Sequence, residues 1–345
     1  MTQQDLIDYG NPAYFASRED WQAYRRLTRR ALATADRVLF FSAHARDDAL
    51  AEELVEPARA AVVQLGVDHE LLSREEGVPP PGAERIDGER EVMLCLGADY
   101  RHKNRLFVLR MLSELQRAHG WPGTAVFAGP HVALGSSRDE EDRLLRSDSR
   151  LGDAVVDLGP VSDAGREWLL RRADLVVYPT VYEGFGLIPF EAARHSVPCL
   201  WARSTALAEL LPEVAAGILA WDVAASAQAG LTLLRDSSAQ AANLAAVREA
   251  GARLSWDRMA RELIESYGQT CDAPPSRAGA IAREQGVMGG DLSEDAIRLL
   301  GPGGALPRDL ERPLLALAAR PRLSKPVFQA IRMAYRISSR KSPRI

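Results

Sequence analysis

Short apolar runs alternate with helical patterns between Glu91 and Asp222, and this alternation restricts the fold more than any other feature of the sequence. A continuous apolar run is typical of a strand that is buried on both faces, as in a parallel sheet. Five strand-helix repeats therefore predict a doubly wound α/β domain with its site at the carboxyl ends of the strands. The predicted strands are VMLCLG (92–97), TAVFAG (124–129), AVVDLG (154–159), DLVVYP (174–179) and PCLWA (198–202).

A chain of 345 residues exceeds what one hydrophobic core usually serves, so a second unit is expected. Upstream of the repeats, DRVLFFS (36–42) and AVVQLGVD (61–68) are the only predicted strands, accompanied by two helical patterns. These elements are too few for a sheet of typical size and indicate a remnant of a second Rossmann-like domain. The predicted division is a remnant at 1–77, a Pro- and Gly-rich linker at 78–90, the complete domain at 91–268 and a low-order tail at 269–345.

Charge and cysteine content exclude several classes of protein. A formal net charge of -4 and a pI near 6.0 leave no overall excess of positive charge to displace phosphate counterions, so no nucleic-acid partner is expected. The three cysteines are an odd, widely spaced set, which favours reduced thiols in the cytoplasm over a disulfide framework. The N-terminal residues have neither the basic flank nor the apolar core of a signal peptide.

The C-terminal segment is the one strongly basic part of the chain. No acidic residue follows Glu311, whereas arginines and lysines accumulate around PVFQAIRMAYRI (326–337). This pattern favours a solvated terminal helix. The alternative is an amphipathic helix that contacts anionic lipid at the inner face of the membrane or a lipid-linked substrate. Both interpretations stay open.

The stretch YPTVYEGFGLIPFEAARH (178–195) holds two carboxylates, Glu183 and Glu191, on either side of a Gly-Phe-Gly turn. Carboxylates accept hydrogen bonds from vicinal hydroxyl groups, as the acidic residue of dinucleotide sites does with ribose. Two hydroxyl acceptors with an anion site between them fit a sugar that a diphosphate joins to a nucleoside. The alternative is that Glu191 only complements a helix dipole and that Glu183 is a solvated loop residue.

The turn between the two glutamates is suited to an anion. A helix is predicted to begin near Leu187 or Ile188, with Pro189 in its first turn, where a missing N–H is not needed. Gly184 and Gly186 allow a positive φ and allow a ligand to approach the backbone without meeting a Cβ atom. Backbone N–H groups at such a helix start attract phosphate.

The stretch resembles the E-x7-E motif of retaining glycosyltransferase family 4, whose GT-B fold consists of two facing Rossmann-like domains. Other segments match that family in the expected order, with the greatest specificity at 157–213. The matching segments are LGADYRHKN (96–104), FAGP (127–130), DLGPVSDAGREWLLRRADLVVYPTVYEGFG (157–186) and ALAELLPEVA (206–215). The resemblance implies an α/β chain of the GT-B type, complete in its C-terminal domain, that moves a hexose from a nucleotide-diphosphate sugar to a saccharide or lipid-linked acceptor with retention of configuration.

The same resemblance implies roles for individual residues. Lys103 would neutralise the diphosphate and Glu183 would contact the transferred sugar, while Glu191 would bind the ribose hydroxyl groups. Arg101 is taken as a substitute for the arginine that the family often has where this chain has Ala98. The full set of donor-binding residues implied is Arg101, Asn104, Gly184, Phe185, Gly186, Leu187 and Glu191. Ser204, Thr205 and Glu209 fall where the family has a loop near the diphosphate, although Glu209 fits a helix-surface residue as well.

The implied chemistry needs no cofactor and usually no metal, and the sequence shows no His/Asp/Cys cluster with ligand spacing. His102 and His195 flank the motifs but are interpreted as packing or surface residues rather than bases. Two other classes are weighed: a non-catalytic module that binds a nucleotide sugar or a partner, and a Rossmann-type dehydrogenase. The dehydrogenase is disfavoured because no G-x-G-x-x-G follows a predicted strand.

The small size of the upstream unit carries a further expectation. A family member would have an N-terminal domain similar in size to the C-terminal one, so residues 1–77 are expected to represent a shortened domain. DRVLFFS would then be a central strand with unpaired edges and exposed apolar faces, which predicts poor solubility.

Overall fold

A computed structural model of the chain describes residues 1–68, 77–212, 217–218 and 221–284. The described residues contain two sheets in which every strand pairing is parallel, one in the N-terminal unit and one in the larger C-terminal unit. The predicted α/β class is confirmed.

The N-terminal unit is built on a three-stranded sheet in the order β1-β2-β3. Its strands are β1 (Thr2–Gln3), β2 (Val38–Phe40) and β3 (Ala60–Val62), and its helices are α1 (Ile7–Gly10), α2 (Arg18–Thr34) and α3 (Ala43–Ala51). Strand β1 and helix α1 were not predicted from the sequence. Because β1 and β3 pair with the two sides of β2, the expectation that DRVLFFS would have unpaired edges is wrong, and the three β2 side chains are buried.

The C-terminal unit is built on a six-stranded sheet in the order β6-β5-β4-β7-β8-β9. All five predicted strands are present, and a short sixth strand, β9, was not predicted. The order reverses between β4 and β7, which is the switch point where doubly wound sheets place their ligands. The strands are β4 (Val92–Leu96), β5 (Thr124–Ala128), β6 (Val155–Asp157), β7 (Leu175–Tyr178), β8 (Cys199–Ala202) and β9 (Gly217–Ile218).

Both faces of this sheet carry a hydrophobic core. In β4, Val92, Leu94 and Leu96 pack on one face, whereas Met93 and Cys95 pack on the other. All five side chains are buried, as expected for a strand without polar alternation. The covering helices are α4 (Arg105–His119), α5 (Arg138–Ser147), α6 (Asp163–Arg172), α7 (Ile188–Arg194), α8 (Thr205–Leu210), α9 (Val223–Arg235) and α10 (Ser237–Ala252). The next helix along the chain is α11 (Trp256–Asp272).

Many of the helices begin at residues that suit a helix start. A side-chain oxygen of the capping residue accepts a hydrogen bond from a backbone N–H of the first turn, which satisfies a donor that has no partner within the helix. Caps of this kind are Ser17, Ser42, Ser162, Asp222, Asp236 and Ser255.

The predicted low-order tail is partly wrong. Residues 269–272 belong to α11, and a further helix, α12 (Arg277–Glu284), packs against α2 of the N-terminal unit. Ser276 fixes this contact, since its N–H donates to Asp36 Oδ1 at 2.8 Å and its hydroxyl donates to the Thr34 carbonyl at 3.1 Å. The basic segment around 326–337 lies outside the described residues. Within the described residues, no helix has both the length and the apolar character that crossing a bilayer requires.

The predicted linker at 78–90 lies against the C-terminal unit. Ala83 and Ile86 are buried, and the Arg172 guanidinium of α6 donates to the backbone carbonyls of Asp87, Gly88 and Arg90. The segment is therefore held in place by packing and by hydrogen bonds along part of its length.

Candidate functional site

A cavity of about 370 Å³ lies at the switch point, where β4 and β7 end. Its volume is within the range of small-molecule sites. Both units contribute to its wall, since four lining residues come from the N-terminal unit. The lining residues are Gln4, Asp5, Phe41, Leu65, Leu96, Gly97, Lys103, Arg166, Tyr178, Glu183, Gly184, Phe185, Gly186, Leu187, Ile188 and Glu191.

Lys103 and Glu183 meet in this cavity from the two sides of the switch point. Lys103 ends a single 3-10 turn after β4, and Glu183 follows β7. The Lys103 Nζ atom lies 2.5 Å from Glu183 Oε1 and 3.5 Å from the Tyr178 hydroxyl. Glu183 is only 8% exposed, and its N–H donates to the Thr205 hydroxyl at 2.9 Å. A largely buried ion pair therefore forms the centre of the site.

The loop that carries Lys103 is anchored by Asp99, which is fully buried. Its carboxylate accepts hydrogen bonds from the Val132 N–H at 2.8 Å and the Ser136 hydroxyl at 2.9 Å, and contacts His131 Nδ1 at 3.0 Å. Burial alone would raise the pKa of Asp99, but the hydrogen bonds outweigh it and lower that pKa. Asp99 thus ties the loop to residues 130–137.

The two glycines of the turn have different roles. Gly186 has φ +94°, as the sequence analysis expected for this turn. Gly184 has no such φ, and the space beside its Cα is filled by the chain itself: a Cβ there would lie 2.5 Å from the Gln4 carbonyl oxygen and 2.9 Å from Asp5 Cβ. The interpretation that Gly184 leaves room for a ligand is therefore wrong on that side, because the N-terminal unit occupies the space.

The remaining predicted residues of the turn hold it against α7. Leu187 caps this helix and Pro189 lies in its first turn, so the predicted helix start is confirmed. Phe185 is buried, and its ring lies 6.5 Å from the ring of Phe190, centroid to centroid. Leu187 lines the cavity, while Phe185 both lines it and packs into the core.

Glu191 lies on α7 and faces Arg166 of α6. One guanidinium nitrogen of Arg166 forms an ion pair with Glu191 Oε2, and both side chains line the cavity. Sequence reasoning missed Arg166, although it lies inside the segment 157–186 that matches the family. The available signal was its place four residues after the cap of α6, at the end of the helix that points to the switch point.

Asp5 is a second residue that sequence reasoning missed. Its carboxylate accepts a hydrogen bond from the Ile7 N–H at 2.9 Å, and Asp5 lines the same cavity as Lys103. Burial raises the pKa of Asp5, while the hydrogen bond lowers it and the nearby charge of Glu183 raises it further. The site thus contains a third carboxylate, supplied by the N-terminal unit.

Two predicted donor-binding residues lie beside the cavity rather than in its wall. The Arg101 guanidinium pairs with Glu140 of α5 at 2.8 Å and is about half exposed. Successive residues of a 3-10 turn point about 120° apart, so Arg101 and Lys103 face different directions. Asn104 adopts the left-handed conformation, with φ 55°, and precedes the first residue of α4. The ion pair with Glu140 thus holds the Arg101 side chain outside the cavity.

The two histidines beside the motifs are packing residues in this structure. His102 Nδ1 lies 2.6 Å from the Tyr14 hydroxyl of the N-terminal unit, and its ring stacks on Tyr100. Burial, followed by the charge of Lys103, lowers the pKa of His102 to about 4. His195 lies against Glu167, with Nε2 and Oε2 2.8 Å apart. Neither histidine lines the cavity.

Glu209 joins the two units instead of lying free on a helix surface. Its carboxylate accepts hydrogen bonds from the N–H groups of Ala43 and His44 at 3.1 and 3.2 Å, at the start of α3. An anion is favourable at a helix start, so this contact stabilises the junction beside the cavity. The Ser204 hydroxyl donates to the Thr180 carbonyl at 3.1 Å, which supports the loop after β8.

The acidic side chains of the site do not form a metal cage in the described part of the chain. There, no group of three or more His, Cys, Asp or Glu residues has an arrangement that would hold a metal ion. What the cavity offers is three carboxylates and two cations, Lys103 and Arg166, each cation paired with a glutamate. When a ligand enters, the cations of these ion pairs can bind its anionic group and the carboxylates can accept hydrogen bonds from its hydroxyl groups.

Comparison with known proteins identifies relatives of the C-terminal unit. The family model described as Glycosyl transferases group 1 matches residues 90–236. A D-inositol 3-phosphate glycosyltransferase of Salinispora arenicola is 30% identical over 152 residues, which are 43% of this chain and 34% of that protein. The corresponding enzyme of Mycolicibacterium vanbaalenii is 26% identical over 261 residues, 73% of this chain and 57% of that protein. The chain thus spans between about a third and just over half of these relatives' length.

Solved structures show a similar arrangement of the chain. A sucrose-phosphate synthase from Thermosynechococcus elongatus matches with a TM-score of 0.60 and 19% identity over 79% of this chain and 68% of that one. The Anabaena protein HepE, in complex with UDP and glucose, matches with a TM-score of 0.60 and 17% identity over 78% of this chain and 71% of that one. At these identities, the likeness concerns the fold.

Proposed function

Residues 90–236 are a domain of the glycosyl transferases group 1 family within a GT-B fold, and from this premise we propose that the chain binds a nucleotide-diphosphate sugar in the cavity between β4 and β7. The transferred group would be a hexose, the acceptor a saccharide or a lipid-linked saccharide, and the configuration of the anomeric carbon would be retained. The observation that carries the proposal is the Lys103–Glu183 pair at the switch point, with Glu191 in the same cavity.

Each residue of this cavity has a part in the proposal. Lys103 gives up its contact with Glu183 to a phosphate oxygen, and the freed carboxylate accepts hydrogen bonds from the hydroxyl groups of the sugar. Glu191 accepts hydrogen bonds from the ribose. The Gly184–Gly186 turn lies between the two glutamates and lines the cavity. Backbone N–H groups of this turn would approach the diphosphate.

The proposed reaction relies on electrostatic stabilisation. When the bond between the sugar and the diphosphate breaks, negative charge develops on the departing phosphate. A cation fixed in a partly buried site stabilises that charge better than water does, because the site has no solvent to reorganise. Lys103 is held for this task by the loop that Asp99 anchors. Departure of the diphosphate would then need no general acid and no cofactor.

A second candidate function is binding without turnover. It is favoured by the charges that line the cavity, where Asp5, Glu183 and Glu191 outnumber the two described cations. Excess negative charge opposes the development of a further negative charge on the leaving group. In this alternative the chain is a nucleotide-sugar binding or partner-binding module that has the donor site alone.

Sugar transfer and donor hydrolysis test the proposal directly. The full chain is incubated with UDP-, GDP- and ADP-sugars and a mixture of saccharide acceptors, and the released nucleoside diphosphate is measured. We expect Lys103→Ala to lower kcat/KM about 10²- to 10³-fold, as for loss of one charge-stabilising group. Glu183→Gln should lower it as well, whereas Arg110→Ala, on the exposed side of α4, should not.

The same experiment separates the two candidates. Donor binding without nucleotide release supports the binding module. Equal turnover by the wild-type chain, Lys103→Ala and Glu183→Gln would show that the site has been assigned wrongly.

A further inference from the structure

Arg166 contacts the one carboxylate of the cavity that is assigned to ribose. It is the fourth residue of α6, four residues after the cap Ser162, and its guanidinium forms an ion pair with Glu191 on α7. The next residue, Glu167, makes a second pair from α6 to α7, with Arg194 at 2.5 Å. Two adjacent residues thus bind the same neighbouring helix, but only the Arg166 pair lines the cavity.

The ion pair with Arg166 occupies only one of the two carboxylate oxygens of Glu191. Oε2 of Glu191 takes the guanidinium, and within the described residues Oε1 has no hydrogen-bond partner. A glutamate side chain without a partner samples several rotamers, and fixing it on ligand binding costs conformational entropy. An ion pair that already holds one oxygen removes part of that cost and fixes the direction of the other oxygen.

We propose that Arg166 is a positioning residue, which holds Glu191 so that its second oxygen accepts hydrogen bonds from the ribose hydroxyl groups, and that the pair thereby sets the preference for ribonucleotides over 2′-deoxyribonucleotides. This inference rests on the proposed function, since it concerns the nucleoside end of the same cavity. It assigns discrimination to an arginine that need not touch the ribose itself.

The planar guanidinium is important for this role. Arginine presents its N–H donors in a rigid fork, whereas a lysine ammonium group is a point charge with no preferred plane. Arg166→Lys therefore keeps the positive charge but holds the Glu191 carboxylate less firmly in one orientation. Arg166→Gln removes the charge and keeps a side chain of similar polarity. A residue that instead contacted the diphosphate would affect ribo- and deoxyribonucleotides alike.

The test compares binding of UDP, GDP and ADP with that of their 2′-deoxy forms by calorimetry, using the full chain. For the pair that binds, the wild-type chain should prefer the ribonucleotide roughly tenfold or more, as for a hydrogen bond to a charged group. Arg166→Gln and Glu191→Gln should each bring the ratio of the two dissociation constants, 2′-deoxy form over ribonucleotide, close to one. The double variant should have the same ratio as the single variants. Arg166→Lys should give an intermediate ratio.

The matched control is Glu167→Gln, which breaks the neighbouring α6–α7 pair outside the cavity. It should keep the wild-type ratio even if it lowers stability, and thermal unfolding of every variant separates the two effects. If Arg166→Gln keeps the wild-type preference for the ribonucleotide, or loses the same affinity for the ribonucleotide and its 2′-deoxy form, the inference is overturned. The proposal that the chain binds a nucleotide is not affected by that result. Failure of the wild-type chain to bind any nucleotide overturns the proposed function and this inference with it.

Discussion

Replacing Arg105 by Met should destabilise the C-terminal unit by about 3 kcal/mol, the lower end of the range for breaking a buried ion pair. Arg105 is 1% exposed and directly follows the Lys103 loop; its guanidinium lies 2.6 Å from Asp157 and 3.2 Å from Glu141. Glu141 would keep the Ser137 hydroxyl at 2.6 Å, and Asp157 is partly exposed, so neither carboxylate loses all its solvation. Met retains much of the packing over Phe127.

The loss of unfolding free energy in Arg105→Met should depend on pH, because Glu141 titrates beside Arg105. Burial raises the pKa of Glu141, and the charge of Arg105 partly offsets this. A carboxyl group whose pKa is raised on folding favours the folded state below its unfolded pKa, and that contribution is lost as pH rises through the folded pKa. Without Arg105 the folded pKa rises further, so the deficit should be larger at pH 7 than near pH 4.

Urea unfolding at both pH values measures this effect. The double variant Arg105→Met/Glu141→Gln should recover more than half of the loss at pH 7, because it leaves no buried carboxylate without a cation. A loss below about 1 kcal/mol, or a double variant as unstable as the two single changes added together, would refute the view that this buried pair is coupled.

Three further results are expected from contacts between the two units. His102 is neutral in the folded chain, since its pKa is lowered to about 4, so stability should fall as pH drops from about 6.5 to 4 and should fall less in His102→Gln, measured by thermal unfolding at each pH. Glu209→Ala removes the acceptor at the start of α3 and should cost about 1 kcal/mol in urea unfolding, against no change for an exposed glutamate such as Glu249. Gly184→Ala places a Cβ 2.5 Å from the Gln4 carbonyl and should cost roughly 1 to 3 kcal/mol; an unaltered unfolding midpoint would mean that Gln4 does not lie there.

The fold could be predicted from the sequence where one segment carries its own signal. An apolar run such as Val92–Leu96 indicates a strand buried on both faces, whatever surrounds it. The helix that starts at Ile188 was predicted for the same reason, since Pro189 marks a first turn locally. β1 has only two residues and no apolar pattern, and its pairing with β2 depends on a partner far along the chain.

The candidate site could be predicted only in part. Lys103, Glu183 and Glu191 lie in one cavity as expected, because the carboxyl ends of adjacent parallel strands converge. Arg166 and Asp5 were missed, since neither lies in the stretch 178–195 that holds the two glutamates, and a helical or extended pattern does not show which way a polar side chain points. Their place in the cavity follows from how α6 packs on α7 and how the N-terminal unit packs on the turn.

Hydrogen–deuterium exchange of the full chain, with and without a saturating nucleotide-diphosphate sugar, tests whether the donor binds in the cavity between β4 and β7. It reports where a ligand binds and does not depend on turnover. We expect increased protection of backbone N–H groups at 97–104 and 183–191, with α10 unchanged, and loss of that protection in Lys103→Ala. Binding accompanied by protection elsewhere, with both of these segments unaffected, would contradict it.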